Sequence, residues 1–254
     1  MPGLALSLLM VFFAVLGVRA QDVLALAEMT SVFNLMVKDA YAGTNGFSAR
    51  IIVSLGSVGQ TPIGLPLTVR QSGSKLAAEY RFTDFGRFAD QARQALRKLS
   101  VDEQVVVLDT KDKRIDILFP GIKGYIEMQS PPSLTHLIEE MQRNMERVVV
   151  GNEVWQEHTC EKVNLIDPGH TNVTASVWER IDLDHFPVKI ELLKKDQPMT
   201  MCAESVELSR PSASIFEVPP GFTRYATYAE VTKAATRIAQ EKAGPPTQDA
   251  GKSN

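Results

Sequence analysis

From Phe47 the chain alternates apolar and polar residues. Phe47, Ala49, Ile51, Val53 and Leu55 share one side, with Ser48, Arg50 and Ser54 on the other, the pattern of a half-buried antiparallel strand. A Gly- and Pro-punctuated loop over Gly56 to Gly64 leads to Leu65, Leu67 and Val69, and the Ser72-Gly73 turn leads to Leu76, Ala78, Tyr80 and Phe82, a three-strand meander. The period then changes. Phe85, Phe88, Ala92, Ala95 or Leu96, and Leu99 recur at helical spacing, with Arg87, Arg93, Arg97 and Lys98 outside the stripe, which predicts an amphipathic helix on the sheet.

Short strands follow at Gln104 to Asp109, Arg114 to Phe119 and Lys123 to Met128, separated by the turn signals Asp109 to Lys113 and Pro120-Gly121. Pro131-Pro132-Ser133 starts a second helical stripe of Leu134, Leu137, Ile138, Met141 and Met145. Further strands are expected at Arg147 to Trp155, Thr159 to Ile166, Asn172 to Leu183, Pro187 to Lys194 and Met199 to Leu208. In the third of these Val173, Ala175, Val177 and Ile181 oppose Asn172, Thr174 and Ser176, so one sheet face is buried and the other wet. Thr227 and Glu230 have capping-box spacing for a last helix to about Gln240. An earlier helix is expected from Asp22 to near Gly43, with Leu26, Met29, Phe33, Met36 or Val37, and Ala40 on one face. The fold class is α+β: a large curled antiparallel sheet, an unclosed half-barrel, with helices packed on its concave face.

The N-terminus sets the compartment. Leu4 to Val18 is an apolar run closed by Val18-Arg19-Ala20, a cleavage site of signal-peptidase type, so residues 1–20 read as a cleavable signal peptide and the protein as periplasmic. Gln21 stands where an acylated lipoprotein carries Cys, and no later stretch reaches the ~18 apolar residues of a membrane span. Cleavage after Ala20 leaves 234 residues with 26 basic against 30 acidic side chains. That length fits one domain over residues 21–243, followed by a solvated tail at 244–254. The mildly acidic, scattered charge lacks the basic footprint that a phosphate backbone needs, which sets nucleic acid aside.

Candidate chemistry is sparse. The sequence has no Gly-x-Ser-x-Gly elbow, no phosphate-cradling Gly loop and no His-Glu-x-x-His helix, and His136, His158, His170 and His185 lack ligand-pair spacing. Asp182 and Asp184 flank a turn beside His185 and read as a solvated strand end. Met199, Met201 and Cys202 have the donor types of a Cu(I) site, but strand parity turns Cys202 away from the two methionines. The His158-Thr159-Cys160 segment puts a second donor pair on one face, with core methionine and a buried thiol as the simpler account. No enzyme, metal or cofactor is expected. Cys160 and Cys202 form a disulfide only if their strands come close, because three steps of a meander separate them by ~14 Å; both alternatives stay open.

Several segments point further. Val150-Gly151-Asn152-Glu153-Val154, Thr159-Cys160-Glu161-Lys162-Val163, Phe186-Pro187-Val188-Lys189-Ile190 and Ile215-Phe216-Glu217-Val218-Pro219-Pro220-Gly221-Phe222 resemble a family of secreted bacterial proteins akin to the periplasmic lipoprotein carriers and receptors, the LolA/LolB-like group. The resemblance implies a half-barrel with an apolar lining that takes a lipid acyl chain or lipoprotein. On that reading Ile51, Val53, Val69, Tyr80, Phe82, Val177, Val188 and Ile190 line the inner face, with Met141 and Met145 as flexible lid residues. The alternative is an envelope protein-binding, scaffolding or sensor domain in which the same residues are simply packed core.

Overall fold

The computed structural model describes residues 46–55, 63–84, 90–109, 111–129, 145–166, 173–192 and 199–243. The expected signal segment, the Asp22 helix, the Pro131 helix with Met141, and the tail lie outside the described residues. The described strands form one twelve-stranded sheet.

The strands are β1 (Phe47–Leu55), β2 (Ile63–Ser72), β3 (Lys75–Arg81), β4 (Glu103–Asp109), β5 (Arg114–Phe119), β6 (Gly124–Gln129), β7 (Glu146–Trp155), β8 (His158–Ile166), β9 (Val173–Arg180), β10 (Phe186–Leu192), β11 (Met199–Glu207) and β12 (Thr223–Tyr225). Their order is β12-β6-β5-β4-β3-β2-β1-β11-β10-β9-β8-β7. Two antiparallel meanders, β1 to β6 and β7 to β11, are thus joined by the pairing of β1 with β11, where Ile51 stands opposite Ala203 and Val53 opposite Met201. Among the described strands only β12 runs parallel to its neighbour, β6. β7 and β12 are opposite edges, so the sheet is unclosed.

Two α-helices are present among the described residues, α1 (Asp90–Leu99) and α2 (Tyr228–Ala243). Val231 and Ala235 of α2 bury against Ile117, Phe119, Ile122 and Ile126, with Leu99 of α1 packed alongside. By strand alternation Ile117 and Ile126 share the first face of the sheet with Val106 and Ala78, which their register places in one row. The start of α2 is a capping box: the Glu230 N–H donates to Thr227 Oγ1 at 3.2 Å, and Glu230 Oε2 accepts from the Ala226 N–H at 2.8 Å. The helix continues past the expected end near Gln240, to Ala243.

After β11 the chain crosses the second face to reach β12 at the far edge. Phe216 packs there against Ala77, Val107 and Leu118, with Ile215, Phe222 and Tyr125 around them. Gly46 lets this crossing lie close to the start of β1, since a Cβ there would come within 2.8–2.9 Å of Pro211 Cδ, Arg210 Cα and Gln71 O.

Two local readings are corrected. β9 ends at Arg180, and Ile181–Leu183 is a 3-10 turn, so Ile181 leaves the inward phase and is 43% exposed. The alternating pattern runs on through a turn whose C-cap, Asp184, is left-handed. The expectation of one wet face also fails at β9, where Ser176 and Trp178, on the opposite face from Ala175 and Val177, are buried as well.

Two substitutions test these junctions by thermal or denaturant unfolding. Thr227→Ala removes the side-chain acceptor at the start of α2 and is expected to cost about 1 kcal/mol. Gly46→Ala pushes the added methyl onto the Pro211 ring and onto the backbone of Arg210 and Gln71 and is expected to cost about 1–3 kcal/mol; unchanged stability in either variant contradicts the corresponding contact.

Candidate functional site

The first face carries a continuous apolar surface across the β1–β11 junction. Ile51, Val53 and Val69 from the first meander and Val177, Val188, Ile190, Met199 and Met201 from the second belong to one buried cluster, each at most 5% exposed. Leu65, Leu67 and Met145 pack against it, partly buried. β-branched residues dominate because a pleated, buried face favours side chains stiff at χ1. Each fully buried aliphatic side chain contributes about 1.5–3 kcal/mol to whatever conformation or complex keeps it from water.

Tyr80 and Phe82, also named from the sequence, stand apart from that cluster. Phe82 lies in a 3-10 turn after β3, and its ring meets Tyr80 edge to face at 5.1 Å between centroids. The Tyr80 hydroxyl donates to Gln104 Oε1 at 3.0 Å, and burial raises its pKa, with Tyr228 adding to the effect. Gln104 is itself 1% exposed. The sequence does carry a signal for it: Gln104 shares the inward phase of Val106 and Leu108 yet is polar.

Near the β7 edge the first face turns ionic. Arg147 from β7 donates Nη2 to Glu161 Oε2 of β8 at 3.1 Å and to Glu179 Oε2 of β9. His185 Nδ1, from the turn after β9, lies 3.5 Å from Glu179 Oε2 and 3.9 Å from Glu161 Oε2. Glu179's side chain is 3% exposed, and burial pushes its pKa up against the pull of Arg147. Among the described residues, one ligating atom each of Glu161, Glu179 and His185 comes within 4.8 Å of the others. The guanidinium already supplies the positive charge that these carboxylates need. Strand pairing alone assembles this group, so no segment read singly announces it.

The second face over β7 to β11 holds a stack of rings and cations. Lys189 Nζ lies 4.2 Å from the Trp155 ring centroid and 4.0 Å from that of Trp178, and Lys162 Nζ lies 4.8 Å from Trp178. Glu153 accepts from Trp178 Nε1 at 2.7 Å and from Lys162 at 2.8 Å. Cys202 lies opposite Lys189 in register, on the face away from Met199 and Met201, so the three sulfur donors are not brought together. Both cysteines are free thiols, on β8 and β11 with β9 and β10 between them. His158 is half-exposed beside Asp182, and Asp182 is held by Arg180 at 2.6 and 2.7 Å.

No protein-family model matches the chain, and no curated protein matches it. Several solved structures show a distant similarity to it. An uncharacterized conserved protein from Thermus thermophilus is similar over 78% of this chain and 99% of its own, with 9% identity and a TM-score of 0.46. The lipoprotein LppX of Mycobacterium tuberculosis is similar over 75% and 97%, with 14% identity and a TM-score of 0.41. A LolA superfamily protein from Nitrosomonas europaea is similar over 72% and 96%, with 8% identity and a TM-score of 0.33. At these identities and TM-scores the similarities carry no argument about this chain's family or function. Among the described residues no helix is long and apolar enough to cross a membrane.

The ionic group yields a paired prediction. Arg147→Ala strands the buried Glu179 carboxylate and is expected to cost about 2 kcal/mol, less than a fully buried pair because Arg147 is 40% exposed. Glu179→Gln removes the charge that burial disfavours and is expected to stay within about 1 kcal/mol of the parent at neutral pH. Because burial raises Glu179's pKa, stability from this group is present below the ordinary glutamate range and falls as pH rises through the folded pKa. In Arg147→Ala that fall should steepen; equal pH profiles for variant and parent contradict the pairing.

Proposed function

We propose that this chain is a non-enzymatic periplasmic binding protein, one domain over residues 21–243, that holds the acyl chain of a lipid or lipoprotein against the first face of an unclosed half-barrel. The observation that carries the reading is the continuity of that face: Ile51, Val53 and Val69 meet Val188, Ile190 and Met201 across the β1–β11 junction in one apolar cluster. A surface of this kind recognises hydrocarbon by area alone, at ~25 cal/mol per Å² buried, and asks for no directional chemistry. Residues resembling the lipoprotein carriers lie on the strands that build it, Phe186 to Ile190 on β10 and Thr159 to Val163 on β8. Helices over a concave face, with Met141 and Met145 at the opening, complete the arrangement in this reading.

A second reading, a soluble envelope protein that binds or scaffolds another protein, draws on a different observation. β7 is a sheet edge and carries Val148, Val149, Val150 and Val154 at 37%, 51%, 55% and 74% exposure. Natural edges are usually blunted by charge or Pro, and an apolar one is suited to strand addition.

Uptake of a pyrene-labelled acyl methyl ester separates the two. Ile51→Asp or Val188→Asp, each placing a carboxylate on the apolar face, is expected to weaken uptake at least about tenfold, while Val154→Asp on the edge leaves it unchanged. A variant with native circular dichroism that retains full uptake after Ile51→Asp overturns the acyl-binding reading.

A further inference from the structure

Gln104 presents a buried group that the described residues do not satisfy. Its Oε1 takes the Tyr80 hydroxyl, but Nε2, enclosed with the rest of the 1% exposed side chain, has no hydrogen-bond partner among the described residues. An amide nitrogen kept from water without an acceptor is destabilising, and such groups are rare enough in native folds to require an explanation.

The position of Gln104 says what the missing partner belongs to. Gln104 stands opposite Tyr80 on β3. The pairing of Thr68 with Glu79 brings Leu67 beside Tyr80, and Leu67 stands opposite Ile51, which stands opposite Ala203. One cross-strand row therefore runs from the apolar cluster through Leu67 and Tyr80 to the carboxamide, about 14 Å from Ile51 at three strand spacings. Beyond it Leu118 pairs with Val105, which puts Phe119 next in the row, and Phe119 is closed over by Tyr228 of α2, edge to face at 5.7 Å. A chain of methylenes laid along the row from Ile51 ends where the amide N–H groups begin.

We propose that Gln104 Nε2 is the polar anchor of the acyl site, donating to the neutral carbonyl oxygen of an ester or amide whose hydrocarbon lies along Tyr80, Leu67 and Ile51. The inference rests on the acyl-binding reading and narrows it to acylated molecules over free fatty acids. Burial raises the pKa of both Tyr80 and Tyr228, so the surroundings of the carboxamide disfavour negative charge, and a carboxylate meets the same penalty there. An uncharged carbonyl satisfies the donor without it.

The test is competition against N-phenyl-1-naphthylamine bound to the full chain, using methyl palmitate, palmitate and hexadecane. Methyl palmitate is expected to displace the probe about tenfold more effectively than hexadecane, the worth of one buried hydrogen bond, and also more effectively than palmitate. In Gln104→Leu the ester's advantage over hexadecane disappears while hexadecane competes as before; Tyr80→Phe, which frees the carboxamide's other end, reduces it. In ¹⁵N spectra the side-chain NH₂ signals identified by their loss in Gln104→Leu shift with methyl palmitate and not with hexadecane. Equal competition by ester and alkane in the parent protein overturns the anchor while leaving the apolar site intact, and stronger competition by palmitate overturns the preference for a neutral carbonyl. Failure of the parent to take up any probe overturns the acyl-binding reading itself.

Discussion

The structure depends on the antiparallel pairing of β1 with β11. Each meander alone is a local object, strand after strand joined in sequence. Pairing Ile51 with Ala203 and Val53 with Met201 makes one sheet of two and one apolar face of two half-faces. A register slip of one residue would turn Ile51 and Val53 outward and bring Ile52 and Ser54 in, and a bulge between Arg50 and Ile51 marks where the register is fixed. The continuity of the apolar cluster from Ile51 and Val53 to Ile190 and Met201 follows from that junction, whereas the row that links Ile51 to Gln104 lies within the first meander.

A sheet this wide buries polar groups, and this one treats them in two ways. At the β7 edge a carboxylate too deep for water is compensated by Arg147, with Glu161 and His185 at hand. On β9 the outward side is closed as well, Trp178 lying under two lysines and Ser176 bonded to Asn164 at 2.8 Å. Gln104, like Asp116, keeps one half of its polar group without a partner among the described residues, and it is the one of the two that sits in the row of Ile51 and Tyr80. Such an imbalance is what the proposed ligand would correct.

The first strand was legible because its alternation is long and clean: Phe47 to Leu55 announces both extent and facing, while the apolar run Val105 to Leu108 announces a strand between turns without saying which side faces in. The junction was not, since alternation tells which way Ile51 points and nothing about which distant strand lies beside it. The same limit hid the Arg147, Glu161, Glu179 and His185 group, whose members come from β7, β8, β9 and a turn and meet only through pairing. Ile181 misled for a simpler reason, as an apolar residue in phase with Val177 continues the pattern after the backbone has turned. Thr227 and Glu230 were read correctly because a capping box is local, its two partners three positions apart in the chain. Gln104 could be seen as polar in an apolar phase, but its unpaired nitrogen emerges only once Tyr80 is placed beside it.

The central claim is that the first face holds an acyl chain. Native mass spectrometry, with organic extraction, on the full chain exported to a bacterial periplasm and purified without detergent tests it most directly. The account predicts a stoichiometric adduct whose extracted mass is that of an acyl ester or amide. A clean apo mass, together with no uptake of the pyrene-labelled ester by the same preparation, would contradict it and leave the apolar face as packed core.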